Sequence, residues 1–412
     1  MRGVRVWARL LGVERAIVED AAFEEETGSL VVRVRLRRRD RNRCGVCRRR
    51  APGYDAGDGR RRWRALDLGT TKAYLEAAAP RVQCAAHGVV VAAVPWARHG
   101  AGHTRVFDDT VAWLAAHTSK SAVGALTRVA RRTVGAIIRR VVADGRAVRD
   151  PLAGLARIGI DEISYRRGQR YLVVVVDHDT GRLVWAADGR SERTLERFFD
   201  ELGPERSAAL THVSADAAEW IERVVRRRAP EAVLCTDPFH VVAWATEALD
   251  AVRREVWNAA RRHGETSLAQ DLKGARFALW KNPEDLTERQ HTKLAWIAET
   301  NEPLYRAYLL KEELRMVFAL RGVDGIRFLD GWLAWARRCR IPAFVELARK
   351  VAKNRPGIEA ALVHGLSNAR VESVNTKIRL LTRVAFGFHS AKALIALAML
   401  SLGGLCPPLP GR

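Results

Sequence analysis

Apolar residues recur along this chain at two different spacings, and the change from one to the other divides it. Up to about residue 100 they alternate with polar residues, as over 15–22 and 29–36, which predicts two strands joined at Thr27-Gly28. Residues 44–100 read as short strands and turns, because Gly53, Gly57 and Gly59 interrupt any helix. From Phe107 to about Ala147 the spacing becomes helical, and Asp150-Pro151 marks a boundary.

Beyond that boundary strands and helices alternate. Residues 158–163, 171–177 and 183–187 are β-branched apolar runs joined by turns at Arg167-Gly168 and Thr180-Gly181, so they predict three strands. Ser191 caps a helix running to about Leu202, with Glu192 in its first turn. A strand over 210–214, a helix over 217–228 and a strand over 232–236 follow, and residues 241–366 show mainly helical periodicity. Three strands, then helix, strand, helix, strand, a helical insertion and a last helix form the order of a ribonuclease H-like domain. The whole predicts a multidomain α/β chain: N-terminal strands and a zinc-ribbon-like module over 1–105, a helix-turn-helix over 106–150, the first part of a ribonuclease H-like catalytic domain over 151–240, a helical insertion over 241–366, and a closing catalytic helix with the C-terminus over 367–412.

Charge narrows the partners. The 412 residues carry 70 Lys and Arg against 47 Asp and Glu, a net charge of +23 that is densest before residue 62 and favours an anionic polymer, most simply double-stranded DNA. The most apolar stretch, 393–406, is too short for a bilayer and contains Gly403 and Gly404, so it predicts a buried terminal helix and no membrane partner. The N-terminus lacks the uncharged apolar core of a signal peptide.

The cysteines point to metal binding. Cys44-Gly-Val-Cys47 and Cys84-Ala-Ala-His87 are two knuckles, each holding two ligands separated by two residues, and together they offer three thiolates and an imidazole to one Zn²⁺. His99 and His103 are competing fourth ligands at poorer spacing. Four protein ligands leave no open position, so the ion is structural. Cys235, Cys339 and Cys406 stand alone in apolar surroundings, which fits a reducing cytoplasm, at the nucleoid if DNA is the partner.

Between this module and the boundary, residues 107–117 predict a supporting helix, and two further helices meet at a tight turn near Val129-Ala130. Ala125, Val134, Ile137 and Ile138 supply the packed face; Arg131, Arg132 and Thr133 open the second helix toward a DNA groove, leaving Arg139 and Arg140 for phosphate.

Four acidic residues follow the strand pattern. Asp161 lies in an apolar strand, where a carboxylate needs a metal or charged partner, whereas Glu162 next to it points to the opposite face and is not a ligand. Asp216 ends the fourth strand and Asp237 the fifth, the latter within Asp237-Pro-Phe-His240. Strand order favours Asp216 as the middle ligand, with Asp237 and His240 as support or as the alternative. Asn368, Glu372, Asn375 and Arg379 share one helix face, so Glu372 is flanked by amides and a guanidinium that suit a metal beside a phosphate. Asp177, Asp179 and Asp188 read as turn residues. Carboxylates gathered this way suit two hard divalent ions, Mg²⁺ or Mn²⁺, held by Asp161, Asp216 and Glu372.

The blocks GIDEISYRRGQRYLVVVVD, TDPFHVV, FALWKNPEDLT, NEPLYRAYLLKEELR and SNARVESVNTKIRLLTRVAFGF resemble bacterial transposases of insertion-sequence family L-three, in one order across the chain. That resemblance implies a DDE transposase that binds the terminal inverted repeats of its element, cleaves and transfers strands at Asp161, a middle aspartate and Glu372, and works as a homodimer on paired ends and target DNA. The helical insertion is expected to contribute Lys281, Arg276 and Arg315 to DNA. The rival is a non-catalytic zinc and helix-turn-helix DNA-binding regulator whose acidic domain only dimerises.

Overall fold

A computed structural model describes residues 2–13 and 16–411; the expected first residue of the opening strand, Arg15, lies outside them. The chain forms two compact units, Met1–Pro151 with Leu380–Arg412, and Leu152–Arg379. Among the described residues no helix is long and apolar enough to cross a membrane.

The first unit begins with α1 (Arg2–Leu10) and the hairpin of β1 (Ala16–Glu24) and β2 (Ser29–Leu36), turned at Gly28 with φ +57°. β3 (Gly53–Asp55), β4 (Arg60–Arg64), β5 (Lys72–Ala78), β6 (Arg81–Cys84) and β7 (Gly88–Val91) complete two small sheets, ordered β1-β2-β5-β4 and β3-β6-β7. Val32, Val34, Trp63, Leu75 and Trp96 fill the core of the larger sheet. The smaller one buries little beyond Cys44, Ala51, Val82, Cys84 and Ala92.

Three helices follow: α2 (Arg105–His117), capped by the Thr104 hydroxyl, α3 (Lys120–Thr127), capped by Ser119, and α4 (Arg131–Val148). Arg128 in the left-handed region ends α3, and Gly124 makes room for the turn, since a Cβ there would lie 2.8 Å from the Val129 carbonyl oxygen. The packed face is Val123, Thr127, Val134, Ile137 and Ile138. Ala125, expected on that face, is exposed instead: Val123 and Thr127, four apart, turn inward, and the residue midway between them turns out.

The second unit opens with β8 (Arg157–Arg166), β9 (Arg170–Asp177), β10 (Leu183–Asp188), α5 (Glu192–Leu202), α6 (Pro204–Ala208), β11 (His212–Ala215), α7 (Glu219–Arg228) and β12 (Val233–Thr236). The sheet runs β10-β9-β8-β11-β12, antiparallel among the first three and parallel from β8 to β12. Ile158 and Ile160 of β8 join Val173 and Val175 against Leu195 and Phe198 of α5 and Ile221 and Val224 of α7. Strand alternation therefore puts Gly159 and Asp161 on the other face.

α8 (Pro238–Arg262), α9 (Thr266–Gly274), α10 (Arg276–Trp280), α11 (Glu288–Thr300), α12 (Glu302–Val317), α13 (Gly322–Arg338), α14 (Pro342–Lys353) and α15 (Arg355–His364) form the helical segment expected over 241–366. Its core includes Leu249, Leu314, Trp332 and Phe344. α16 (Ala369–Val384) follows and carries Glu372. The first unit takes up the chain again from Leu380, within α16. α17 (Ala391–Leu402) packs on α4 and α2, because Leu394, Leu397 and Leu400 need an apolar partner and find one there.

Candidate functional site

The two knuckles meet. Cys44, Cys47, Cys84 and His87 bring one ligand atom each to within 4.8 Å of all the others. Cys47 and Cys84 sulfurs lie 3.8 Å apart, and His87 Nδ1 lies 3.7 Å from Cys44 Sγ and 3.6 Å from Cys84 Sγ. Bonds of about 2.3 Å to sulfur and about 2.0 Å to nitrogen at tetrahedral angles around zinc separate sulfurs by about 3.8 Å and sulfur from nitrogen by about 3.5 Å. The observed spacings match, and they are far longer than a disulfide; all four sulfur and nitrogen donors suit Zn²⁺. The neighbouring His87 ring holds the Cys84 thiol down at about 6, so it presents a thiolate at neutral pH. His99 backs the first knuckle, where its Nδ1 would lie 2.5 Å from a Cβ on Gly45, while His103 stacks on Phe107.

On the three-helix segment, Arg131, Arg132 and Arg139 are exposed and Thr133 half-buried at the start of α4. Arg140 is not free for phosphate as expected. Its Nη1 donates to Asp108 Oδ2 at 3.0 Å, and Asp108 is fully buried, so this ion pair is needed where it stands. Arg98 supports the same carboxylate from 3.6 Å.

The acidic residues converge unevenly. Asp161 is buried on β8, the middle strand of the five; Asp216 lies just past the end of β11, hydrogen-bonded beside β8; Glu372 is exposed on the first turn of α16. Asp161 Oδ2 accepts from Asn375 Nδ2 at 2.7 Å, and Arg379 Nη1 lies 3.3 Å from Glu372 Oε1. Burial above all, with repulsion from Asp216 and Glu372, pushes the Asp161 carboxyl up to about 6 against the pull of His240. Asp161 therefore lies within electrostatic reach of Asp216, Glu372 and His240. The three carboxylates nevertheless do not close to the spacing of the cysteine cluster. The side-chain oxygen Oδ1 of Asn375, beside Asp161, is buried without a hydrogen-bond partner.

Asp237 is engaged differently. It is buried, with Oδ1 accepting from the Asn368 N–H at 3.1 Å and Oδ2 from His240 Nδ1 at 2.9 Å. That hydrogen bond raises the His240 pKa and favours its charged form. Both oxygens of Asp237 are thus spent inside the protein, whereas Asp216 keeps partial exposure and caps only the Ala218 N–H at 3.3 Å.

Glu162 is half-buried on the opposite face as strand alternation requires, ion-paired with Arg190, and desolvation raises it to about 7. Among the insertion's cations, Arg315 is held by Glu284 and Glu312 at 2.9 Å each, and Arg276 stacks 3.8 Å over Trp280. The Lys281 ammonium lies 3.4 Å from the Asp285 carbonyl. Sequence reasoning passed over Ser214 and His178, both buried beside Asn368; a serine and a histidine within apolar strand ends were the available signal.

Comparison with known proteins agrees with this layout. Residues 158–398 match a family described as transposase (DDE_Tnp_ISL3), residues 92–142 the helix-turn-helix domain of transposase family ISL3, and residues 40–87 the zinc-finger of transposases IS204/IS1001/IS1096/IS1165. The chain is 59% identical over its whole length, and over 98% of the relative, to the transposase for insertion sequence element IS1557 in two strains of Mycobacterium tuberculosis. It is 29% identical to the transposase for insertion sequence element IS1001 of Bordetella parapertussis over 59% of this chain and 60% of that one. With zinc-finger, helix-turn-helix and transposase regions in that order, this chain belongs to the ISL3 family of insertion-sequence transposases.

Proposed function

We propose that this chain is a DDE transposase that binds the terminal inverted repeats of its own element as a homodimer and cleaves and transfers DNA strands at Asp161, Asp216 and Glu372. The carrying observation is the placement of these three carboxylates on β8, at the end of neighbouring β11 and on α16, with Asp161 pushed up chiefly by burial and further by the charges of the other two. Sheet order and strand directions support a ribonuclease H-like catalytic domain. The names of the full-length relatives support the same activity.

The acidic cluster fits Mg²⁺ or Mn²⁺ on its donor chemistry. Its ligands are hard carboxylate oxygens, with Asp216 and Glu372 repelling Asp161, joined by the orphaned side-chain Oδ1 of Asn375. Two ions held there by Asp161, Asp216 and Glu372 would activate the attacking water or 3′-hydroxyl and stabilise the leaving oxygen. The chain itself fixes the ligands. Asn375 orients Asp161, Arg379 steadies Glu372 and offers a guanidinium to phosphate, and Asp237 with His240 supports the end of β12. Arg131, Arg132, Thr133 and Arg139 read the DNA end from α4, and Lys281 contributes from the insertion.

Excision of a marker flanked by the element's ends from a donor plasmid tests this. Wild type is expected to excise, Asp216→Asn to abolish excision, and Asp237→Asn only to weaken it. Loss with Asp237→Asn but not Asp216→Asn moves the middle ligand to β12. Wild-type end binding without excision favours the non-catalytic regulator.

A further inference from the structure

We propose that Ser214, backed by His178, is a positioning residue that fixes the first turn of α16 and thereby sets where Glu372 stands relative to Asp161 and Asp216. The inference rests on the acidic-site reading above, and adds residues that touch neither metal nor DNA. Ser214 is fully buried on β11, two residues before Asp216. Its hydroxyl donates to Asn368 Oδ1, which can only accept. Its lone pairs are left for His178 Nε2, 2.7 Å away. Burial holds His178 neutral, with a pKa of about 4, so its single ring proton must sit on Nε2 to complete the chain.

From Asn368 the connections run to every element carrying the site. Its Nδ2 donates to the Ile160 carbonyl at 3.2 Å, next to Asp161. Its backbone N–H donates to Asp237 Oδ1 at 3.1 Å. Its carbonyl accepts the Glu372 N–H at 2.8 Å, so the turn bearing Glu372 hangs on this one residue. Arg370 on the same turn donates to the His178 carbonyl, and to that of Asp179 at 3.2 Å.

Close packing makes the arrangement stiff. A Cβ on Gly159, beside Asp161's strand neighbour, would lie 2.3 Å from Val371 Cγ2 and 2.8 Å from His178 Nε2. Glycine there lets α16 and the imidazole press onto the sheet. A buried polar chain in which each member is satisfied specifies one geometry, and loss of its hydroxyl leaves two buried groups unpaired.

Three variants of the full chain test this: Ser214→Ala, His178→Leu and His178→Gln, whose amide can still donate to the hydroxyl. Amide hydrogen exchange over residues 369–372 and the Mg²⁺ dependence of strand cleavage are measured, with thermal unfolding as the folding check. Ser214→Ala and His178→Leu should speed exchange in that turn and raise the Mg²⁺ needed for half-maximal cleavage by about 10-fold or more, as outer-shell partners of metal ligands do. His178→Gln should retain wild-type behaviour in both. Folded Ser214→Ala or His178→Leu protein with wild-type exchange and Mg²⁺ response overturns the proposal. Cleavage that survives Asp161→Asn defeats the acidic-site reading instead, and the exchange data then decide the positioning role alone: unchanged exchange rejects it.

Discussion

Asp161→Asn is expected to reduce strand cleavage by at least about 10³-fold while making the protein more stable at neutral pH. Under the proposed function, the rate effect follows from removing the charge at the centre of a site that would stabilise a phosphoryl transfer electrostatically. The stability effect follows from the carboxyl's elevated pKa. Asp161 stands at about 6 when folded against an ordinary 3.8, a difference equivalent to about 3 kcal/mol at pH values above both. Because the folded pKa is the raised one, this is a cost: full above pH 6, and gone below the unfolded value. The asparagine keeps the size and a hydrogen bond to Asn375 without the charge. Its advantage in thermal unfolding should therefore be largest at pH 7–8 and vanish toward pH 4. An inactive variant that is also less stable at neutral pH would mean that the carboxylate serves the fold, and not the chemistry.

Removing zinc should unfold the β3-β6-β7 module and abolish tight binding to the element's ends. The small sheet buries too little apolar surface to stand alone: Ala51, Val82 and Ala92 are joined there mainly by the ligand cysteines themselves. Structural zinc in comparable modules contributes about 10–16 kcal/mol of apparent binding energy at pH 7, all of it folding energy. Cys44→Ser and Cys84→Ser each remove a buried ligand and should behave like chelation. Helices α2 to α4 have their own core in Val123, Val134, Ile137 and Ile138, so helical circular dichroism should largely persist. Metal analysis should return one zinc per wild-type chain. Full end affinity in zinc-free protein would show that the module serves something other than DNA binding.

The strands of the second unit were legible because their residues are β-branched runs bounded by Gly turns; β8, β9 and β10 lie within three residues of their expected ends. The metal knuckles were legible because ligand spacing is local. What escaped the sequence depends on neighbours distant in the chain. Arg140 looks like a free cation until α2 brings fully buried Asp108 against it. Arg315 looks like a DNA contact until Glu284, 31 residues earlier in the turn before α11, reaches it. Ser214 and His178 acquire a role only when β9, β11 and α16 meet. The choice between Asp216 and Asp237 has the same origin: strand order alone prefers Asp216, and the hydrogen bonds that occupy both oxygens of Asp237 add a physical reason.

The most direct test of the acidic site is anomalous diffraction from crystals of this chain soaked in Mn²⁺. Two manganese peaks sharing Asp161, with Asp216 and Glu372 as their other protein ligands and Asp237 still bonded to His240 and Asn368, are expected. Peaks bound instead by Asp237, or no ordered manganese at Asp161 under conditions that support cleavage, would contradict the account.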